Sequence, residues 1–382
     1  MTKGREAPLW RAHELAQRAL TLSNPNPRVG CVLVAADGRE IGSGHTQQAG
    51  GPHAEVMALR DAAARGEPTA GATAHVTLEP CSHHGRTPPC CDALVAAGIA
   101  RVVVATADPN PLVAGRGLER LRAAGIAVEL LPKDHVLALA TRELNIGFFS
   151  RMVRETPWVR MKGAMSLDGV TALSNGASQW ITGEAARADG HTWRARACAV
   201  LTGIGTVLED DPMLDVRLAP TPRQPHLVIV DSRLDTPVTA RLFQATAGSL
   251  PRRLFIYCAT GDAQRRAALE ARGATVIEMP GPGDKVDLAA MLRDLARREV
   301  NELHLEAGHK LNGSFIREGL VDELLLYLAP QLLGSGGAGL ASWGPLQSLE
   351  QRLALRFGPV TPVGDDLRIL ARVSQRDAFI AA

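Results

Sequence analysis

Residues 79–91 read EPCSHHGRTPPCC, which places Cys81, Cys90, Cys91, His83 and His84 within one short stretch. Upstream, HAE at residues 53–55 adds His53 and Glu55. One histidine and two thiolates make three protein ligands, the number a catalytic zinc takes because its fourth position stays open for water. Such a metal lowers the pKa of that water to about 7 and yields hydroxide at neutral pH. Glu55 lies two residues from His53, so the two do not share a face of a regular helix. At the first turn of a helix both can reach a metal beyond the helix end, with Glu55 placed to carry protons from the water to a leaving group. Cys90 opens the segment PPCCDALVAAG, where free N–H groups and the helix dipole favour a thiolate. Adjacent Cys90 and Cys91 do not easily share one tetrahedral ion, so one of them is read as a spectator facing the core. A closed structural site built from Cys81, Cys90, Cys91 and one histidine is the competing reading. His83 and His84 are read as substrate-side or solvent-facing loop residues.

The elements that must hold these residues alternate between strand and helix. WRAHELAQRAL is amphipathic and is followed by the turn-rich SNPNPR; VGCVLVAADG reads as a buried strand ending in an Asp-Gly turn. PHAEVMALRDAAARG opens with a proline at the expected first helical position and stops at glycine. GATAHVTLEP, IARVVVATADPNP and IAVELLP read as strands, with GLERLRAAG as a helix between the last two. This is an α/β layered pattern. A boundary is expected near FFSRMVRETPWVR, dividing the chain into residues 1–150 and 151–382. The second part is also α/β, with strands in WVRMKGAMSLDG, ACAVLTGIGTV, QPHLVIVDS, RRLFIYCAT, GATVIEMP, VNELHLEAG and DELLLYLAP. In it, LHLEAGHKLNGSF is a strand, a small-residue turn and a helix, an arrangement whose free N–H groups can cradle phosphate. No G-x-G-x-x-G with a following acid is present, so a dinucleotide fingerprint of that type is not supported.

Composition narrows the partners. A chain of 382 residues exceeds what one core usually organises. The net charge of +2 comes from 42 basic and 40 acidic residues, so no global field draws it to nucleic acid or membrane. There is no apolar run of about 18 residues and no signal-peptide core at the N-terminus, so a cytoplasmic location is expected. The six cysteines are too few and too scattered for a disulfide scaffold, which favours metal or catalysis in residues 79–91.

Zinc nucleobase deaminases carry H-x-E…P-C-x-x-C; here eight residues, not two, separate Cys81 from Cys90. The runs NPNPRVGCV, GPHAEVMAL and TLEPCSHHGRTPPC closely resemble the deaminase half of the bifunctional riboflavin-biosynthesis deaminase/reductase family. KGAMSLDGVTA, SQWIT, TGIGTVLEDDPMLDVR and LHLEAGHKLNGSF, in that order, resemble its reductase half. The resemblance implies a cytidine-deaminase-like three-layer domain followed by a dihydrofolate-reductase-like domain. It implies that His53, Cys81 and Cys90 bind zinc and that Glu55 shuttles protons. The implied substrate is a diaminopyrimidinone carrying ribose 5-phosphate, which loses its ring 2-amino group as ammonia. Asn26 is a candidate for the pyrimidine edge, with turn geometry as its plain alternative. In the reductase half, the resemblance places Ala164, Trp180, Thr206, Asp210 and Ser232 at NADPH. Gly308, His309, Lys310, Leu311, Asn312, Gly313 and Ser314 would meet the cofactor's phosphates. Ser178, Arg194, Leu214, Arg217 and Glu306 would hold the substrate, the two arginines suiting a ribose phosphate. Arg233, next to Ser232, is a candidate for a 2′-phosphate. The implied reaction reduces the ribose to a ribityl chain, with no obvious proton donor in the sequence. A small-molecule enzyme of this size is expected to form homo-oligomers. A nucleic-acid-editing deaminase is disfavoured by the near-neutral charge and the lack of a basic, aromatic-interleaved stripe. A structural zinc knuckle joined to a ligand-binding module would leave Glu55 without a role.

Overall fold

A computed structural model describes residues 3–83, 88–111, 113–244 and 252–381. The chain forms two compact units, one of Met1–Glu155 with Ala378–Ala382 and one of Thr156–Asp377. The crossing point follows a helix that runs through the FFSRM segment, and the last five residues return to the first unit.

In the first unit the elements are α1 (Lys3–Gln17), β1 (Gly30–Val34), β2 (Glu40–His45), α2 (Ala54–Ala64), β3 (Thr73–Leu78), α3 (Cys90–Ala96), β4 (Arg101–Thr106), α4 (Arg116–Ala123), β5 (Ala127–Leu130), α5 (Val136–Leu144) and α6 (Ile146–Arg154). The five strands are ordered β2-β1-β3-β4-β5. β1 is antiparallel to β2 and β3, while β3, β4 and β5 are parallel, with α3 and α4 as their connections. Alternation along the strands separates two cores. Cys31, Leu33, Val102 and Val104 pack with Ala54, Ala58, Leu94 and Leu118 of α2, α3 and α4. Val32, Val103 and Ala105 pack with Leu9, Ala12 and Leu137 of α1 and α5 on the other face. The result is three layers.

Two glycines set how closely α2 approaches the sheet. A Cβ on Gly42 would lie 2.4 Å from the Ala58 carbonyl oxygen, and one on Gly44 would lie 2.5 Å from Met57 Cβ. Facing them, Ala54, Ala58 and Ala62 form a fully buried stripe at helical spacing. Small residues on both surfaces therefore fix the height of α2, the helix whose start carries His53 and Glu55. That helix begins at Ala54 with His53 as its N-cap, so Pro52 precedes the helix instead of opening it.

The second unit contains β6 (Trp158–Ser166), β7 (Val170–Ala172), α7 (Glu184–Arg196), β8 (Ala199–Gly203), α8 (Ile204–Asp210), β9 (His226–Val230), β10 (Leu254–Cys258), α9 (Ala263–Ala271), β11 (Ala274–Glu278), α10 (Leu288–Arg297), β12 (Glu302–Leu305), α11 (His309–Arg317), β13 (Glu323–Ala329), β14 (Ala338–Gly339), β15 (Leu355–Val363) and β16 (Asp366–Val373). Nine strands form one sheet in the order β11-β10-β9-β8-β12-β6-β13-β16-β15. It is parallel from β11 to β13 and closes with an antiparallel β13-β16-β15 edge. Met291, Leu292 and Leu295 of α10 and Phe315 of α11 cover one face. Val207 of α8 and Leu269 of α9 cover the other, on the β8-β9-β10 side.

α7 covers the adjoining part of that second face through polar contacts more than apolar ones. Its Trp193 ring lies 4.6 Å from the Arg160 guanidinium and 5.8 Å from that of Arg368. Arg160 is buried between Glu302 (3.0 Å) and Glu323 (2.6 Å). Asp189 accepts from Tyr327 Oη at 2.6 Å and pairs with Arg368 at 2.8 Å. These contacts hold α7 over β6 and β13.

Candidate zinc centre and reductase crevice

In the first unit three elements converge at one point. His53 caps α2, Cys81 follows β3 after Glu79 and Pro80, and Cys90 is the first residue of α3. Their ligand atoms all lie within 4.8 Å of one another. His53 Nδ1 stands 3.6 Å from Cys81 Sγ and 3.3 Å from Cys90 Sγ. Tetrahedral zinc with Zn–S of about 2.3 Å and Zn–N of about 2.0–2.1 Å requires N···S separations of about 3.6 Å, so the three donors fit the ion. The Cys90 amide, at the start of α3, donates to Cys81 Sγ at 3.3 Å. The Cys81 thiol is held well below its usual range, first by the Cys90 thiol beside it and then by His53. Cys90 is pushed up by the same shared proton and by burial. Glu55 is buried at 3 % exposure and lies near enough to Cys81, Cys90 and His53 for each to influence its carboxyl. Burial raises its pKa above the usual carboxylate range, with the charge of Cys81 adding to the effect.

Cys91 is the spectator of the pair. It is fully buried in the core and donates to the Pro80 carbonyl at 3.3 Å and the Gly117 carbonyl at 3.5 Å. His83 is exposed on the loop, and His84 falls outside the described residues. Asn26 lies half-buried in the turn before β1, its backbone N–H donating to the Ser23 carbonyl at 2.8 Å.

Glu79 was passed over in the sequence although it stands two residues before Cys81. Its buried carboxylate accepts four backbone N–H groups. Oε2 takes those of Asp108 (3.2 Å) and Gly115 (3.0 Å), and Oε1 those of Gly117 (2.9 Å) and Leu118 (3.3 Å). It thereby supplies the cap that α4 lacks from its own N-cap, Gly115. A Cβ on Gly117 would lie 2.1 Å from the Pro80 carbonyl oxygen, so α4 abuts the chain next to Cys81. The signal in the sequence was an acid at the end of an apolar strand, a position that demands partners.

In the second unit the candidate residues gather at the carboxyl ends of parallel strands, where open α/β sheets bind ligands. Ala164 is on β6, Thr206 and Asp210 on α8 after β8, and Ser232 directly after β9. Glu306 directly follows β12, Gly308 caps α11, and His309, Lys310, Leu311, Asn312, Gly313 and Ser314 form its first two turns. A Cβ on Gly308 would lie 4.0 Å from Thr206 Oγ1, so the starts of α8 and α11 meet. Arg194 of α7 forms a two-pronged pair with Glu306, at 2.5 and 2.8 Å. Burial opposes ionisation of Glu306, but that guanidinium outweighs it and holds the carboxyl well below its usual range. Arg194 is thus engaged and largely buried, and Arg217, paired with Asp215 at 2.8 Å but with its side chain 55 % exposed, is the more accessible cation of the two. Ser178 and Trp180 lie on the segment before α7, with Trp180 exposed and the Arg187 guanidinium 4.5 Å from its ring. Arg233 is exposed on the turn after β9. Lys162, on β6 two residues before Ala164, was also missed in the sequence. Burial lowers its pKa, as does Arg194, against the pull of Glu306. A lone lysine inside the apolar strand WVRMKGAM was its signal.

A three-layer unit with a His-Cys-Cys centre and a buried glutamate, followed by a unit with a parallel-strand crevice, defines a zinc-binding deaminase fused to a reductase. Comparison with known proteins agrees. Residues 3–106 match the cytidine and deoxycytidylate deaminase zinc-binding region, and residues 157–369 match the RibD C-terminal domain. The riboflavin biosynthesis protein RibD of Escherichia coli K12 is 44% identical over 370 residues, covering 94% of this chain and 96% of its own. The structure of Acinetobacter baumannii RibD, form 1, superposes with a TM-score of 0.87 at 40% identity, covering 98% of this chain and 99% of that one. A Thermotoga maritima diaminohydroxyphosphoribosylaminopyrimidine deaminase/5-amino-6-(5-phosphoribosylamino)uracil reductase superposes with a TM-score of 0.81 at 32% identity, covering 97% and 99%. The chain belongs to the RibD family, the bifunctional deaminase/reductases of riboflavin biosynthesis.

Proposed function

We propose that the first unit deaminates 2,5-diamino-6-(5-phosphoribosylamino)pyrimidin-4-one and that the second reduces the ribose of the product to a ribityl chain with NADPH. The observation that carries the first step is the His53–Cys81–Cys90 triangle at zinc-ligand distances with Glu55 beside it. Zinc held by His53, Cys81 and Cys90 would acidify a water at neutral pH. Glu55 would take a proton from the attacking water and return it to the departing nitrogen as the water oxygen replaces ammonia on the ring carbon. Burial, which favours the protonated carboxyl, makes Glu55 able to give the proton back.

In the second step NADPH would supply the hydride for the sugar C1. The α11 N-terminus and Gly308 would meet the cofactor's phosphates, while Ala164, Trp180, Thr206, Asp210 and Ser232 would line its site. Arg217 would meet the substrate phosphate, with Ser178 and the Arg194–Glu306 pair around the ribose, whereas the Leu214 side chain, expected from the resemblance to hold substrate, packs into the core with Val207 and Ile229. Lys162, half-buried near that pair, can hold a proton for transfer. Two further readings complete the proposal. The nine-residue edge strand β15 is exposed along most of its length, with Phe357 at 72 %, which favours pairing with a second copy. The six free cysteines suit a reducing, cytoplasmic setting.

The test is an assay of the purified chain with the diaminopyrimidinone phosphate, following ammonia and NADPH absorbance. Glu55→Gln should retain zinc and lose ammonia release while still reducing the deaminated intermediate. Ammonia release at the parent rate would overturn the deaminase reading, and failure to oxidise NADPH with the intermediate supplied would overturn the reductase reading.

A further inference from the structure

Residues 213–217 have no regular secondary structure, yet Leu214, Asp215 and Val216 are buried. Buried irregular backbone must find partners for its polar groups, and here side chains from elsewhere in the fold provide them. Arg252 donates to the Met213 carbonyl at 2.8 Å and to the Leu214 carbonyl at 2.9 Å. Gln224 takes both backbone groups of Val216, accepting from its N–H at 2.7 Å and donating to its carbonyl at 2.9 Å. His191 of α7 accepts from the Arg217 N–H through Nδ1 at 3.2 Å. Arg194, also on α7, donates to the Asp215 carbonyl at 3.0 Å.

This set of contacts answers a local strain. Leu214 sits at φ +48°, in the left-handed region that a side chain such as leucine disfavours. Such a conformation persists only where its surroundings over-determine it. We propose that Arg252, Gln224 and His191 are positioning residues of the reductase site, holding 213–217 in the conformation that anchors Leu214 in the core and presents Arg217 to the substrate. The proposal rests on the reading that puts the substrate against Arg217. Each contact has a chemical requirement. Arg252 reaches two carbonyls because its guanidinium is a planar fork. Gln224 matches Val216 because an amide carries a donor and an acceptor together. His191 must be neutral to accept at Nδ1; burial, then Arg194 and Arg217, hold it down to about 4.

Reductase kinetics of Arg252→Met and Gln224→Met test the proposal, using the deaminated intermediate and NADPH as varied substrates. Removing partners of buried carbonyls and amides should raise the KM for the intermediate by roughly tenfold or more. The KM for NADPH and the ammonia-release rate should stay within about twofold of the parent. Arg252→Lys, with a single donor centre, should fall between Met and the parent. An intermediate KM within about twofold of the parent in both Met variants overturns the proposal, as does an equal rise in both KM values. Should Arg252→Met not fold, Gln224→Met decides on the same criterion. Arg217→Ala, measured alongside, separates the two levels. An unchanged intermediate KM there refutes the substrate reading itself, whereas a raised one with inert Arg252 and Gln224 variants refutes only the positioning role.

Discussion

Glu79→Gln isolates one charge and leaves volume nearly untouched. The carboxylate offers two acceptor oxygens, each shared by two backbone N–H groups of the 108–118 segment. An amide has one acceptor oxygen, so in either orientation its NH2 faces two of those four donors. A buried donor without an acceptor costs about 1–3 kcal/mol, which puts the substitution at about 2–6 kcal/mol. The loss falls on the start of α4, which packs against Pro80 beside Cys81. The assay is urea unfolding of the parent and the variant, read by bound zinc and by ammonia release, with NADPH oxidation as the control from the other unit. Zinc and deamination should be lost at clearly lower urea, while reduction keeps its parent profile. A loss smaller than about 1 kcal/mol with zinc retained would refute the clamp, because the four donors would then be finding water instead.

Cys90→Ser should abolish tight zinc binding and Cys91→Ser should keep it, by metal analysis of the purified variants, because Cys91 faces Pro80 and Gly117 in the core. Gly44→Ala places a Cβ 2.5 Å from Met57 Cβ and 2.6 Å from the Ala58 nitrogen. Overpacking of that kind costs about 1–3 kcal/mol and should lower deamination by lifting α2, with reduction unchanged. His191 and His226 are each held down to about 4, first by burial and then by neighbouring arginines. The folded second unit therefore binds these protons less readily than the unfolded chain. Its stability should fall as pH drops from about 6.5 towards 4 and level off below, measured as melting temperature against pH. His226→Phe should flatten that profile; an unchanged slope would show that His226 does not stay neutral in the fold.

The candidate zinc donors, which the fold brings within 4.8 Å of one another, and the buried glutamate were legible in the sequence because their chemistry is local. A histidine and a glutamate at a helix start, and two cysteines flanking a loop, each sit at an element boundary that short-range signals reveal. Most of the parallel strands were equally legible, since buried parallel strands are continuous apolar runs; β2, whose EIGSGH is small and polar, was not read as a strand. α7 was not read as a helix, because it buries only Ala186, His191 and Ala195 and makes its other contacts through half-buried Asp189, Trp193 and Arg194, whose partners Tyr327, Arg368, Arg160 and Glu306 lie elsewhere in the chain. The β15-β16 edge escaped for a related reason: β15 buries neither face, so no alternation marks it.

By itself, then, the sequence determined which residues are candidate zinc donors, that two α/β units follow one another and that their boundary falls within FFSRMVRETPWVR. Only the tertiary structure decided which of two adjacent cysteines groups with His53 and Cys81, that Arg194 is engaged by Glu306, and that Glu79 and Arg252 organise backbone far from them in sequence. The physical reason is the range of the interactions. Capping, periodicity and ligand spacing act over a few residues, whereas a buried carboxylate or guanidinium takes whichever partners the packed fold brings within hydrogen-bond reach.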